Sequence, residues 1–96
     1  MATARKSIGD ATYDYATAHS KPADAIAQAL IDETRALGRV SGMQISAEQA
    51  ALLTQLTQLT RARFAVEVGT FTGLSALAIA RGLAPGGRLL CCDVSE

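Results

Sequence analysis

The 96-residue sequence predicts an α/β chain in which N-terminal helices lead into a single β-α-β unit. Three observations predict it. Phe64-Ala65-Val66 opens a near-continuous apolar run of strand length, the kind covered on both faces in parallel sheets. The stretch EVGTFTGLS, residues 67–75, then places two glycines in a tight turn, and Ala76-Leu77-Ala78-Ile79-Ala80 continues as an apolar helix. After the turn-forming Ala84-Pro85-Gly86-Gly87, the run Arg88-Leu89-Leu90-Cys91-Cys92 reads as a second strand. Strand, helix, strand in that order is one right-handed crossover of a parallel sheet.

The elements follow in chain order. Residues 1–6 are expected to form a loose tail. Residues 7–19 read as a short helix with Ile8, Tyr13 and Ala16 inward and His19 at its end. Ser20-Lys21-Pro22 breaks it and starts the next, since proline is favoured in a first turn, where its missing N–H is not needed. Asp24 then falls in that first turn, complementing the helix dipole. Ala23, Ile26, Ala27, Leu30, Thr34 and Leu37 keep helical spacing, and Gly38 is a C-terminal stop. Residues 38–45, GRVSGMQI, read as a loop. Ser46-Ala47-Glu48-Gln49 has the S-x-x-Q form of a capping box and opens a helix to about Thr60, with Leu52, Leu53, Leu56 and Leu59 inward and Thr and Gln outward. The first strand spans 64–68, the turn 69–73, the next helix 73–83, and the second strand ends at Asp93.

The turn has the features of a ligand site. In open α/β sheets, ligands dock beyond the carboxyl ends of the strands. Glu67 lies near the end of the first strand. Gly69 permits a tight turn and a close approach of ligand to backbone. Gly73 begins the helix, where a side chain is expected to hold helix and strand apart. Asp93, at the tip of the second strand, can accept hydrogen bonds from both hydroxyls of a ribose. A dinucleotide needs G-x-G-x-x-G to cradle its pyrophosphate. Here the spacing is G-x-x-x-G, Phe71 stands where the second glycine is wanted, and Glu67 adds negative charge beside it. Both features count against NAD and suit S-adenosylmethionine, which has no phosphate and carries an ammonium and a sulfonium. No G-x-x-x-x-G-K-[ST] is present, so a Walker-type phosphate site is excluded. Plainer readings stand beside these. The glycines can serve a turn alone, Asp93 can cap a following helix, and Thr72 and Ser75 can satisfy first-turn N–H groups.

Composition narrows the function further. Hydrophobic residues make up 49% of the chain and aromatics only 4%, so alanine, leucine and valine must build the core. Nine basic and nine acidic residues cancel without a basic stripe, which argues against nucleic acid. No apolar run approaches the ~20 residues of a membrane span. Arg5 and Lys6 are not followed by the apolar segment of a secretory signal, so a cytoplasmic location is expected. Cys91 and Cys92 are adjacent, point to opposite faces of a strand, and read as small buried hydrophobes rather than a disulfide.

MQISAEQAALL (43–53), EVGTFTGLSALAIA (67–80) and GGRLLCCDVSE (86–96) resemble the cation-dependent class I O-methyltransferases, the group that includes the catechol and caffeoyl-CoA O-methyltransferases. The resemblance covers roughly residues 22–96, and ATYDYA is similar to the family's first helix. Ala50 stands where relatives commonly have glycine, and Leu74 where they commonly have tyrosine; neither removes a proposed contact. The resemblance implies a Rossmann-like methyltransferase fold. Residues 1–45 are then an N-terminal helical segment, and 46–96 the first part of an S-adenosylmethionine-binding domain, truncated after the second strand.

By position, the resemblance further implies cofactor binding by the backbone near Ile45, by Glu67, by the main chain of Gly69 and Thr70, by the Ser75 hydroxyl, and by Asp93 on the ribose. It implies a divalent cation, magnesium, whose ligands and the catalytic lysine lie beyond this chain. It also implies a small hydroxylated substrate of catechol or phenolic type, and a homodimer as a family-level possibility. The isolated chain is expected to be inactive and marginally stable. Two alternatives stay open: half of a nucleotide-binding oxidoreductase, and a truncated, non-catalytic product.

Overall fold

The computed structural model describes residues 8–94, so the expected tail over residues 1–6 lies outside the described residues. In chain order the elements are α1 (Asp10–Ala18), α2 (Ala25–Arg35), a 3₁₀ turn (Gly38–Met43), α3 (Ala47–Leu59), β1 (Phe64–Val68), α4 (Leu74–Gly82) and β2 (Arg88–Cys92). β1 and β2 pair in parallel, in a register that runs from Phe64 opposite Arg88 to Val68 opposite Cys92. The bounds of β1 agree with the sequence expectation, and β2 ends at Cys92, one residue before the expected Asp93.

The first two helices differ from it in detail. α1 begins at Asp10 and buries no residue. Ile8 precedes the helix and is exposed, Ala16 is exposed, and only Tyr13 of the expected inward trio is half-buried. A hydrogen bond from the Thr17 hydroxyl to the Glu48 carboxylate ties this helix to α3. His19 closes α1 as expected, with its ring stacked on Tyr15 at a centroid distance of 3.9 Å. In α2, Asp24 is the N-cap rather than a first-turn residue, and its carboxylate accepts the Ala27 N–H at 2.9 Å. Pro22 therefore lies ahead of the helix, not within its first turn. The buried stripe is Ala27, Ile31 and Thr34, spaced i, i+4, i+7, while Ile26 and Leu37 face outward. Gly38, at φ +80°, turns the chain after α2, but the following residues coil into the 3₁₀ turn instead of a loop.

The largest correction concerns α3. Its Ser46 cap forms as expected, the hydroxyl accepting the Gln49 N–H at 3.2 Å. Its inward face is only partly the expected one: Leu53 is half-buried and Gln49, Gln55 and Gln58 face outward as expected, but the other leucines do not face inward. Leu52 and Leu56 are exposed and Leu59 is 78% exposed, whereas Thr57 is buried. The reason lies on α4, whose inward face is Leu74, Ala78 and Gly82. A Cβ at position 82 would stand 2.6 Å from the Thr54 carbonyl oxygen and 2.7 Å from the Thr57 Cβ, so the backbones meet at a glycine. Only short side chains fit in that contact, and Thr54 completes it by donating to the Ala78 carbonyl at 2.8 Å.

α4 packs on the sheet from the side of Glu67, which Ser75 reaches from the helix. The other face carries Phe64, Val66 and Val68, the last 85% exposed, so β1 is not covered on both faces as its apolar run predicts. Valine also contributes nothing to the core, which is built from Ala27, Ile31 and Leu74 with Ala23, Leu30, Ile45, Ala50 and Leu77 packed against it. The radius of gyration is 13.9 Å. A compact chain of this length is expected near ~12.5 Å, so the packing is open.

Candidate functional site

The residues singled out in the sequence converge where β1, the 69–73 turn, the start of α4 and the tip of β2 meet. Glu67 is the penultimate residue of β1, points to the α4 side, and is only 9% exposed. The Ser75 hydroxyl, one residue into α4, donates to its Oε1. The Cys91 thiol, its register partner on β2, donates to Oε2 at 3.9 Å. Among the described residues no cationic side chain touches it; the ion pair found there joins Arg81 to Asp24 at 2.8 Å, on another face. A buried carboxylate is costly without a compensating charge. Its two oxygens are instead held by two neutral donors, which leaves room for a cationic group beside them.

The turn itself is held in unusual backbone. Gly69 (φ +88°) and Gly73 (φ +105°) occupy the left-handed region that glycine tolerates. The expected packing role of Gly73 is not seen: a Cβ there would meet nothing within 4 Å, and the requirement is conformational. Phe71 also has positive φ, +51°, a strained state for a bulky residue. The Gly69 N–H extends the strand pairing by donating to the Cys92 carbonyl at 2.7 Å. Asp93 follows β2 directly, and its Oδ2 accepts the Phe71 N–H at 2.8 Å. Gly73 is the N-cap of α4 and has no side chain to offer, so the first N–H groups of α4 have no side-chain cap. The Thr70 hydroxyl is buried at this turn with no hydrogen-bond partner.

Thr72 and Ser75 do not serve as first-turn caps. Thr72 shares a 2.8 Å hydrogen bond with the hydroxyl of Thr34, which is 1% exposed, and this pins the turn to α2. Ile45 is part of the same neighbourhood only through packing, against the cluster that contains Leu74. Cys91 and Cys92 are both exposed and free rather than buried, because no further strand or helix covers β2 among the described residues. The reach of Cys91 to Glu67 was hidden in the sequence. The signal was strand register: residues 24 apart become neighbours only once Glu67 is paired with Cys91.

Two clefts lie elsewhere. One of about 300 Å³ sits among α2, α3 and α4, with Ala27, Leu77 and Arg81 in its wall. The other, about 490 Å³, lies between α1 and residues 41–48 and includes Arg35, Gln44 and Ile45. Neither contains Glu67, Gly69 or Asp93. No three His, Cys, Asp or Glu side chains gather at metal-binding distance among the described residues. No helix is long and apolar enough to cross a membrane among the described residues.

The donor set does fit S-adenosylmethionine. A buried carboxylate faces the turn, a buried hydroxyl lacks a partner, the helix start is uncapped, and the two glycines leave open space where side chains would intrude.

Comparison with known proteins agrees. The O-methyltransferase family model matches residues 17–96. A probable caffeoyl-CoA O-methyltransferase 1 of Dictyostelium discoideum is 35% identical over 82 residues, covering 85% of this chain and 36% of that protein. The catechol O-methyltransferase domain-containing protein 1 of Mus musculus is 48% identical over 50 residues, 52% of this chain and 19% of the mouse protein. Among solved structures, the Bacillus cereus O-methyltransferase in complex with SAH superposes with a TM-score of 0.79 at 30% identity, over 90% of this chain and 39% of that one. The chain thus spans well under half the length of these relatives, and its fold is the N-terminal portion of theirs. With the family model covering most of its length, the chain belongs to the O-methyltransferase family.

Proposed function

We propose that this chain supplies the S-adenosylmethionine-binding part of an O-methyltransferase acting on a hydroxyl of a small catechol-like or phenolic substrate. The observation that carries it is Glu67: a buried carboxylate held by two neutral donors at a glycine turn, with no cation beside it among the described residues. That arrangement suits a ligand with an ammonium and no phosphate, and it disfavours a dinucleotide. When bound, the cofactor supplies a methyl group activated on a sulfonium.

This chain's residues bind and orient. Glu67 opposes the ammonium, and Ser75 fixes the carboxylate from the helix side. The main chain of Gly69 and Thr70 lines the turn, and the Ile45 backbone lines the methionine end. Asp93 accepts from the ribose hydroxyls. Residues 1–45 serve as a helical flank to the binding unit of residues 46–96.

Isothermal titration with S-adenosylhomocysteine, and with NADH as comparator, tests the reading. One-to-one binding of S-adenosylhomocysteine, abolished by Glu67→Gln, is the expected result. Equal or tighter binding of NADH would overturn it.

A further inference from the structure

We infer that Cys91 is a positioning residue of the cofactor site, its thiol holding the second oxygen of Glu67. The inference rests on reading Glu67 as a cofactor ligand and deepens it. Parallel pairing sets Glu67 opposite Cys91, which places both side chains on the α4 face of the sheet. Ser75 occupies Oε1 and the Cys91 Sγ lies 3.9 Å from Oε2. Each oxygen therefore has one side-chain donor, from two different elements. A glutamate has three rotatable side-chain bonds, and one contact leaves it free to swing about that point. Two contacts from a helix and a strand fix the plane of the carboxylate. The edge left over is the one available to a ligand at the turn.

A thiol is a weak donor, but its acceptor here is a carboxyl group largely withdrawn from water, where such bonds gain strength. Cys92 has the same residue type, exposure and strand, but points to the opposite face. It is a control within the same chain.

The experiment compares Cys91→Ala, Cys91→Ser and Cys92→Ala in the full chain. Two quantities are read: the affinity for S-adenosylhomocysteine by titration calorimetry, and the carboxyl ¹³C resonance of Glu67 by NMR without ligand. Cys91→Ala is expected to weaken binding by about three- to tenfold, the range for one lost hydrogen bond, and to move the Glu67 resonance. Cys91→Ser restores a donor and should return both toward the parent values. Cys92→Ala should change neither.

The inference is overturned if Cys91→Ala binds like the parent with the resonance unmoved. It is also overturned if Cys91→Ser loses as much as Cys91→Ala, since volume rather than donation would then matter. If the parent itself binds no S-adenosylhomocysteine, the cofactor reading falls. The Glu67 resonance still separately supports or overturns the Cys91 contact.

Discussion

The Asp93 carboxylate accepts the Phe71 N–H at 2.8 Å, so the tip of β2 holds the crown of the turn that follows β1. The contact offsets the cost of placing a phenylalanine at φ +51°. It also means that the residue proposed for the ribose shapes the turn on which the rest of the cofactor lies. Asp93→Ala should therefore weaken S-adenosylhomocysteine binding by more than one contact is worth, about 10- to 100-fold. Asp93→Asn keeps an acceptor for Phe71 and should lose less. Calorimetric titration of both variants checks the order; equal losses would show that the turn contact is irrelevant.

Gly82 is where α3 and α4 touch. Alanine is the better helix former by about 1 kcal/mol, yet its Cβ would lie 2.6 Å from the Thr54 carbonyl oxygen. Forcing the helices apart costs about 1–3 kcal/mol. Gly82→Ala should therefore be destabilising on balance, read as a lower urea midpoint. A raised midpoint would mean that α3 can slide away freely.

Gly73→Ala separates conformation from space. No atom would obstruct the new Cβ, but φ is +105°. The expected cost is about 1–2 kcal/mol from backbone strain alone. Gly73→Asn, which tolerates left-handed backbone better, should cost less. Chemical denaturation of the pair decides it, and equal stability of all three chains would count against the strain.

Asp24 provides the pH dependence. The Ala27 N–H first, and Arg81 second, hold its carboxyl below the ordinary value of 3.8. A lowered folded pKa means that the unfolded chain takes up the proton first as pH falls. The stabilisation is therefore complete above the ordinary pKa and is lost as pH drops through the folded value. Melting curves from pH 6 to pH 2 should show a loss in the parent that Asp24→Asn lacks in part. Parallel curves would remove Asp24 as the cause.

The apolar surface predicts the solution behaviour of the isolated chain. Phe64, Val66 and Val68 line an uncovered sheet face, and Leu52, Leu56 and Leu59 line an uncovered helix face. Open strand edges and apolar faces promote association. The chain should give a broad, weakly cooperative calorimetric transition and bind a hydrophobic dye in its native state. A sharp two-state transition of the monomer, with no dye binding, would contradict this.

What the sequence by itself determined is whatever depends on neighbours along the chain. The apolar run between Arg63 and Gly69 bounds β1. The Ser46 hydroxyl has its Gln49 N–H three residues on. The glycines at 69 and 73 mark backbone that other residues resist, and the motif around them carries the family. Tertiary structure decided what depends on neighbours across space. The leucine stripe of α3 reads as core by periodicity, but the surface offered to α3 is Ala78 and Gly82, and only the threonine side can approach it. Thr34 looks like one position of an apolar stripe until Thr72 arrives beside it. Cys91 looks like a small hydrophobe until strand register sets it against Glu67. Periodicity tells which residues share a face; it does not tell which face another element will meet, because that depends on the shape of the element that arrives.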